Sequence, residues 1–287
     1  MPPPHEASHN HKHLDTSGAD LADLLDLDGR VLHEYWTQAL TWATGAIADA
    51  GCERILDLGA GSGTGTIALA QRFGAAEVIA IDNSEDMLSR IRAKALDMGL
   101  ASRIRTIHAD LDDHWPNLDP IDITWASMSM HHMSDPDRVL SKVFAASRPG
   151  ALVALAEFDV PLRFLPDDVG FGRPDLEARC LEALGEEHAH ALPDLGSAWS
   201  PRLAAAGFAE VRDRSFTIDL KPSRSTAAIE YARGWLGRMR SGVAHRLEAE
   251  DQHSLDMLVG AGGLESLDSR GGLHIRGTRT ITIGRRL

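Results

Sequence analysis

Between Arg54 and Thr66 the chain reads Arg-Ile-Leu-Asp-Leu-Gly-Ala-Gly-Ser-Gly-Thr-Gly-Thr, an apolar run that carries Asp57 near its end and opens into a glycine-dense turn. Gly59, Gly61, Gly63 and Gly65 let backbone N–H groups approach a ligand unobstructed, and the apolar helix that follows offers its positive end to an anion. A second carboxylate, Asp82, closes the apolar run Val78-Ile-Ala-Ile-Asp82. Further on stand His131 and His132, inside Met128-Ser-Met-His-His-Met133. Imidazoles titrate near neutrality, so either can take a proton from a hydroxyl or an amine. A nucleotide-type ligand beside a candidate base is the chemistry these residues offer.

Something must hold them in register, and the periodicity shows what. Short β-like runs alternate with longer helix-like ones: strand 53–58, helix 64–74, strand 77–82, helix 84–98, strand 103–109, strand 121–127, helix 135–147 and strand 150–157. That order means a parallel sheet with helices on both faces. Ser84 ahead of Glu85 and Asp86, and Asp135 ahead of Pro136, are helix-start signals, and Pro149-Gly150 is a stop. After Phe158 come helices at 174–191 and 198–206, a strand at 209–220, a helical block at 223–260 and an alternating strand at 274–283. The last two strands, separated by a helical insertion, suggest an antiparallel pair at one sheet edge. Ahead of the sheet, Leu32, Tyr35, Trp36, Ala39, Leu40, Ala43 and Ile47 trace one helical stripe over 30–50, and residues 1–18 read as a Pro- and His-rich flexible arm.

Composition narrows the classes. A chain of 287 residues with 43% hydrophobic content can bury one large core, and its apolar runs are strand-sized, so no membrane segment is expected. The N-terminus lacks the pattern of a secretory signal, which makes the cytoplasm the expected compartment. Cys52 and Cys180 are far apart and have no metal-like spacing; the adjacent His131 and His132 lack a third ligand, and the histidines of the N-terminal arm fix no geometry, so no metal is expected. A net charge of −13 disfavours a broad nucleic-acid surface and favours a small substrate.

Two nucleotide classes use a strand, a glycine turn and a later acid. The dinucleotide fingerprint G-x-G-x-x-G fails in both registers, because Thr64 and Thr66 stand where its third glycine belongs. The pattern present, Asp57-x-Gly59-x-Gly61-x-Gly63, resembles the first motif of the class I S-adenosylmethionine-dependent methyltransferases, and the resemblance runs through residues 53–157. It implies a Rossmann-like α/β fold with a seven-stranded sheet of order 3-2-1-4-5-7-6, the last strand antiparallel. It also implies S-adenosylmethionine as cofactor and S-adenosylhomocysteine as product.

Carried over residue by residue, the resemblance sets Gly59, Gly61 and Gly63 beside the cofactor's ribose and methionine portion, with Asp57 near the ammonium group. It sets Asp82 on the ribose hydroxyls, Asn83 and Met87 beside the ribose or adenine, Asp110 and Leu111 at the adenine, and Ser127 beneath the methionine part. Met128–Met133 resembles a Leu-His-His pattern of small-molecule methyltransferases, with Met130 in place of the leucine. His131 and His132 are the catalytic candidates, either as base or with one of them packing at a helix entry; Glu157 and His245 are weaker candidates. Tyr35 and Trp36 serve as a lid or as core, and Tyr231, Trp235 and Met239 line an acceptor pocket or pack helix on sheet.

The expected organisation is an arm at 1–18 and one domain at 19–287, whose helices 19–50 and insertions near 160–206 and 222–273 cap the substrate. The expected activity is methyl transfer by in-line displacement to an oxygen or nitrogen of a small organic acceptor. Carbon or peptide methylation, a nucleotide-dependent oxidoreductase and a non-catalytic cofactor-binding module are the alternatives. Monomer and homodimer remain equally open.

Overall fold

The computed structural model describes residues 18–45, 47, 51–158, 160–260, 262–270 and 273–287. The His-rich arm lies outside them up to residue 17, as do 48–50 of the expected first helix. Seven strands form one sheet in the order β3-β2-β1-β4-β5-β7-β6. They are β1 (Arg54–Leu58), β2 (Glu77–Asp82), β3 (Ile104–His108), β4 (Ile121–Ser127), β5 (Ser147–Phe158), β6 (Ala209–Ser223) and β7 (Leu273–Arg285). The first five pair in parallel, and β7 runs antiparallel to both β5 and β6. The sheet expected from the resemblance is the sheet observed.

Burial on both faces explains why β1, β4 and β5 read as nearly unbroken apolar runs. Ile55, Ile123, Ala154, Ile281 and Tyr231 belong to the core on one face; Leu56, Ala126, Leu155, Trp199 and Leu203 belong to the core on the other. Nine α-helices flank the sheet among the described residues: α1 (Gly18–Val31), α2 (His33–Thr44), α3 (Thr64–Arg72), α4 (Glu85–Asp97), α5 (Pro136–Ala146), α6 (Leu176–Ala191), α7 (Trp199–Ala205), α8 (Thr226–Val243) and α9 (Ala249–Val259). Caps fall where the side chains predict. Ser84 Oγ accepts from Met87 N at 3.4 Å, and Asp135 Oδ1 accepts from Arg138 N at 2.9 Å.

Three boundaries differ from the sequence reading. The helical stripe expected over 30–50 falls on two helices that meet at Leu32; α1 reaches back to Gly18, and α2 ends at Thr44, ahead of Ile47, which lies in a bend. Residues 147–149 join β5, because Gly150 absorbs the bend with φ of 85° and the strand continues through it. The block 223–260 divides into α8, a short turn at Ala244–Arg246 and α9. No described helix is long and apolar enough to cross a membrane.

Candidate active site

The sheet order reverses between β1 and β4, and the carboxyl ends of strands at such a point leave a crevice for ligands. Pairing aligns Ile81, Leu58, Ala126 and Leu155 in one row across β2, β1, β4 and β5. One residue further along stand Asp82, Gly59 and Ser127, with Glu157 just beyond on β5. The sheet thus delivers Gly59, Asp82, Ser127 and Glu157 to one rim.

The glycine turn is shaped by close approach as well as by backbone angle. Gly59 has φ of 61°, and a Cβ there would lie 2.5 Å from the Cβ of Ser129. Gly63, at φ of 90°, would set its Cβ 2.6 Å from Ile91 Cγ1. Beneath the turn, Asp57 is buried and accepts from Thr66 Oγ1 at 2.6 Å. Burial pushes its carboxyl up to about 7, against the hydrogen bond from Thr66. Asp82 receives Gly61 N on Oδ2 at 2.8 Å and Ser84 N on Oδ1 at 2.9 Å, and its carboxyl is also raised by burial.

These residues fit the donor that the resemblance implies. A carboxylate offers about four acceptor positions; the backbone N–H groups of Gly61, Ser84 and Asn83 draw on those of Asp82, and what remains can serve a ribose hydroxyl. Side chains at Gly59, Gly61 and Gly63 would run into Ser129, Leu25 and Ile91, so packing keeps this turn as bare backbone whose N–H groups a ligand can approach. Met87 is buried beneath the rim and Leu111 is buried in the core, whereas Asn83 and Asp110 are exposed. The Asn83 carbonyl lies 3.0 Å from His108 Nε2, and Asp110 Oδ1 accepts from Asp112 N at 2.9 Å. Ser127 is half-buried at the end of β4.

Beyond Ser127 the chain turns through Met128 in the left-handed region, at φ of 56°, a conformation that costs a non-glycine residue about 1–2 kcal/mol. The turn carries Ser129 and Met130 over β5. Their N–H groups donate to Glu157 Oε1 at 3.2 and 2.9 Å, while Ser129 Oγ donates to the Leu58 carbonyl at 2.8 Å. His131 then lies with Nδ1 2.5 Å from Glu157 Oε2. Both side chains are nearly dry, His131 4% exposed and Glu157 5%. In the tautomer that donates Nδ1–H to this carboxylate, Nε2 carries the free lone pair.

Neighbouring rings complete the surround. His132 is exposed and lies against His131 at 4.2 Å between centroids, and Phe158 sets its edge on His131 at 5.4 Å. His188 on α6 is close enough for the charge of His131, after burial, to lower its pKa. A cleft of about 360 Å³ opens beside Glu157 and Phe158, bordered by Ser197, Trp199, Asp213 and Thr280.

Of the remaining candidates, Tyr35 is buried on α2, with Phe216 and Trp36 edge-on at 6.0 Å. Trp36 reaches Trp125 at 6.2 Å. Tyr231 is fully buried, with Trp235 beside it at 6.5 Å, and Met239 is core. His245 is exposed and pairs with Glu187 at 3.8 Å, so it takes no part in this cluster. The sequence reading ranked Glu157 low and passed over Asp28, Ser129, His188 and Arg279. A signal for Arg279 exists: it occupies the inward phase of Ile275, Gly277, Ile281 and Ile283 in β7, where a charge must find a partner.

The methyltransferase-domain family matches residues 55–150. Demethylmenaquinone methyltransferase of Clavibacter sepedonicus is 34% identical over 200 residues, which is 65% of this chain and 77% of that protein. The 27-O-demethylrifamycin SV methyltransferase of Amycolatopsis mediterranei is 33% identical over 151 residues, 48% of this chain and 55% of that one. This chain thus spans three quarters of the first and about half of the second. A solved phosphoethanolamine N-methyltransferase 2 of Haemonchus contortus, bound to phosphomonomethylethanolamine and S-adenosylhomocysteine, superposes with a TM-score of 0.53 at 16% identity, over 92% of this chain and 60% of that one. That likeness speaks for the fold alone. The relative matched along most of its length carries more, and it places this chain in the class I S-adenosylmethionine-dependent methyltransferases, to which it belongs.

Proposed function

We propose that the chain methylates an oxygen or nitrogen of a small organic acceptor, with His131 as general base and Glu157 as the residue that orients it. The observation that carries this reading is the dry His131–Glu157 pair next to the glycine turn. S-adenosylmethionine supplies an electrophilic methyl on a sulfonium. Gly59, Gly61 and Gly63 hold the donor close, Asp82 takes the ribose hydroxyls and Asp57 faces the ammonium group. Asn83, Met87, Asp110 and Leu111 border the ribose and adenine, and Ser127 lies beneath the methionine portion. His131 Nε2 would accept the acceptor's proton as its oxygen or nitrogen bonds to the methyl carbon in line with the breaking carbon–sulfur bond, the thioether S-adenosylhomocysteine would leave, and the Glu157 carboxylate would stabilise the resulting imidazolium. Helices within 19–50 and the insertions at 160–206 and 222–273 close over the acceptor. A small molecule suits such a closed cap in a chain of net charge −13.

A second reading, carbon methylation, draws support from the Clavibacter relative, which is named as a methyltransferase of demethylmenaquinone. The same base serves it, since removing a hydroxyl proton from an aromatic ring makes the neighbouring carbon nucleophilic. Transfer of labelled methyl to panels of phenols, alcohols, amines and hydroxyquinones separates the two. Under either reading, His131→Asn should lower turnover by about 10²–10⁴ while S-adenosylhomocysteine affinity stays within about threefold. Undiminished turnover in that variant would remove His131 as base.

A further inference from the structure

Outside the dyad, the densest buried charge joins the first helix to β7. On α1 the apolar stripe Leu24, Leu27 and Val31 includes Asp28, which is 8% exposed. Its carboxylate accepts from Trp36 Nε1 at 3.1 Å, from Tyr231 OH at 2.6 Å, and from both Nη1 (3.0 Å) and Nη2 of Arg279. Arg279 is 3% exposed, lies over the Tyr35 ring at 5.1 Å and pairs in register with Phe158, whose edge meets His131. Burial opposes the charge of Asp28, yet the guanidinium outweighs it and holds the carboxyl below its ordinary range.

From this anchor α1 crosses the glycine turn. A Cβ on Gly61 would lie 3.1 Å from Leu25 Cδ1, and one on Gly29 would lie 2.7 Å from Thr64. The far flank is held by Asp26, which pairs with Arg90 at 2.6 Å and with Lys94, while Lys94 also donates to the Ser62 carbonyl at 2.7 Å. A buried ion pair is a weak source of stability, since apolar residues of similar volume often serve as well or better. What it supplies here is direction: four donors converge on one carboxylate and fix α1, α2, α8 and β7 in a single arrangement.

We propose that the Asp28–Arg279 pair is a positioning device for methyl transfer, holding α1 across the donor's glycine turn and fixing Trp36, Tyr231 and Tyr35 around the pair. This rests on the glycine turn being the donor site. The variant Asp28→Asn/Arg279→Met removes both charges, and the amide it places at 28 can still accept from Trp36 Nε1 and donate to the Tyr231 oxygen, so no buried partner is stranded. We expect it to melt within about 5 °C of wild type, yet to release S-adenosylhomocysteine at least about tenfold faster in stopped-flow displacement. Wild-type release from the folded double variant would overturn the proposal. Should that variant not fold, Arg279→Lys keeps the charge and loses the fork. Faster release from it supports the proposal, and unchanged release overturns it. Wild-type protein that takes up no S-adenosylhomocysteine would overturn the donor-site reading itself.

Discussion

In the proposed mechanism Glu157 sets which nitrogen of His131 is basic, and that is testable at one atom. Glutamine at 157 can still accept from Ser129 and Met130, but its amide N–H₂ then faces Nδ1 and drives the ring proton to Nε2, where the base is needed. Glu157→Gln is therefore expected to cut turnover by about 10²–10⁴ in steady-state assay and to leave donor affinity nearly unchanged. Asp57 gives a second residue-level expectation. Its carboxyl is pushed by burial up to about 7, from 3.8 in the open chain. Below the lower value both states carry the proton; between the two values only the folded state does. Ligand-free protein should therefore lose stability as pH rises through that window, and Asp57→Asn should flatten the decline in melting temperature. Parallel slopes for the two proteins would contradict this.

Elements deliver these groups through their ends, so end chemistry is where element-scale change should register. Asp135 caps α5 just after the His131 turn, and Asp135→Ala should cost about 1 kcal/mol, roughly 2–4 °C in melting temperature, with S-adenosylhomocysteine affinity preserved. The same chemistry explains what was legible beforehand. Ser84, Asp135 and the glycines announced their helices, and the apolar runs of β1, β2, β4 and β5 announced the sheet and the rim where Asp82 and Ser127 stand. Glu157 was harder to read, because its partnership depends on the left-handed turn at Met128 and on strand register, neither of which composition reveals. The break at Leu32 was hidden by a continuous apolar stripe on both sides of it. Asp28 lay in plain view as a charge on an apolar stripe, but its partner Arg279 lies 251 residues away.

At the scale of the molecule, the reversal of strand order between β1 and β4 sets the glycine turn and the buried His131, the proposed donor loop and base, just beyond the ends of neighbouring strands, while the helices proposed as a cap come from before β1 and after β5. That division explains why the methyl donor is recognisable from motifs and the acceptor is not. On the proposed assignment the donor's contacts would come from strand ends with fixed spacing, whereas the acceptor's would come from helices such as α2, α6 and α8, which meet only after folding. It also means that the donor site should answer to a single carboxylate. Calorimetric titration of S-adenosylhomocysteine into wild type and into Asp82→Ala tests this directly. Saturable binding by the wild type, weakened at least about tenfold in a folded Asp82→Ala protein, is the predicted result. Equal affinity in the two proteins, or no binding by the wild type, would contradict it.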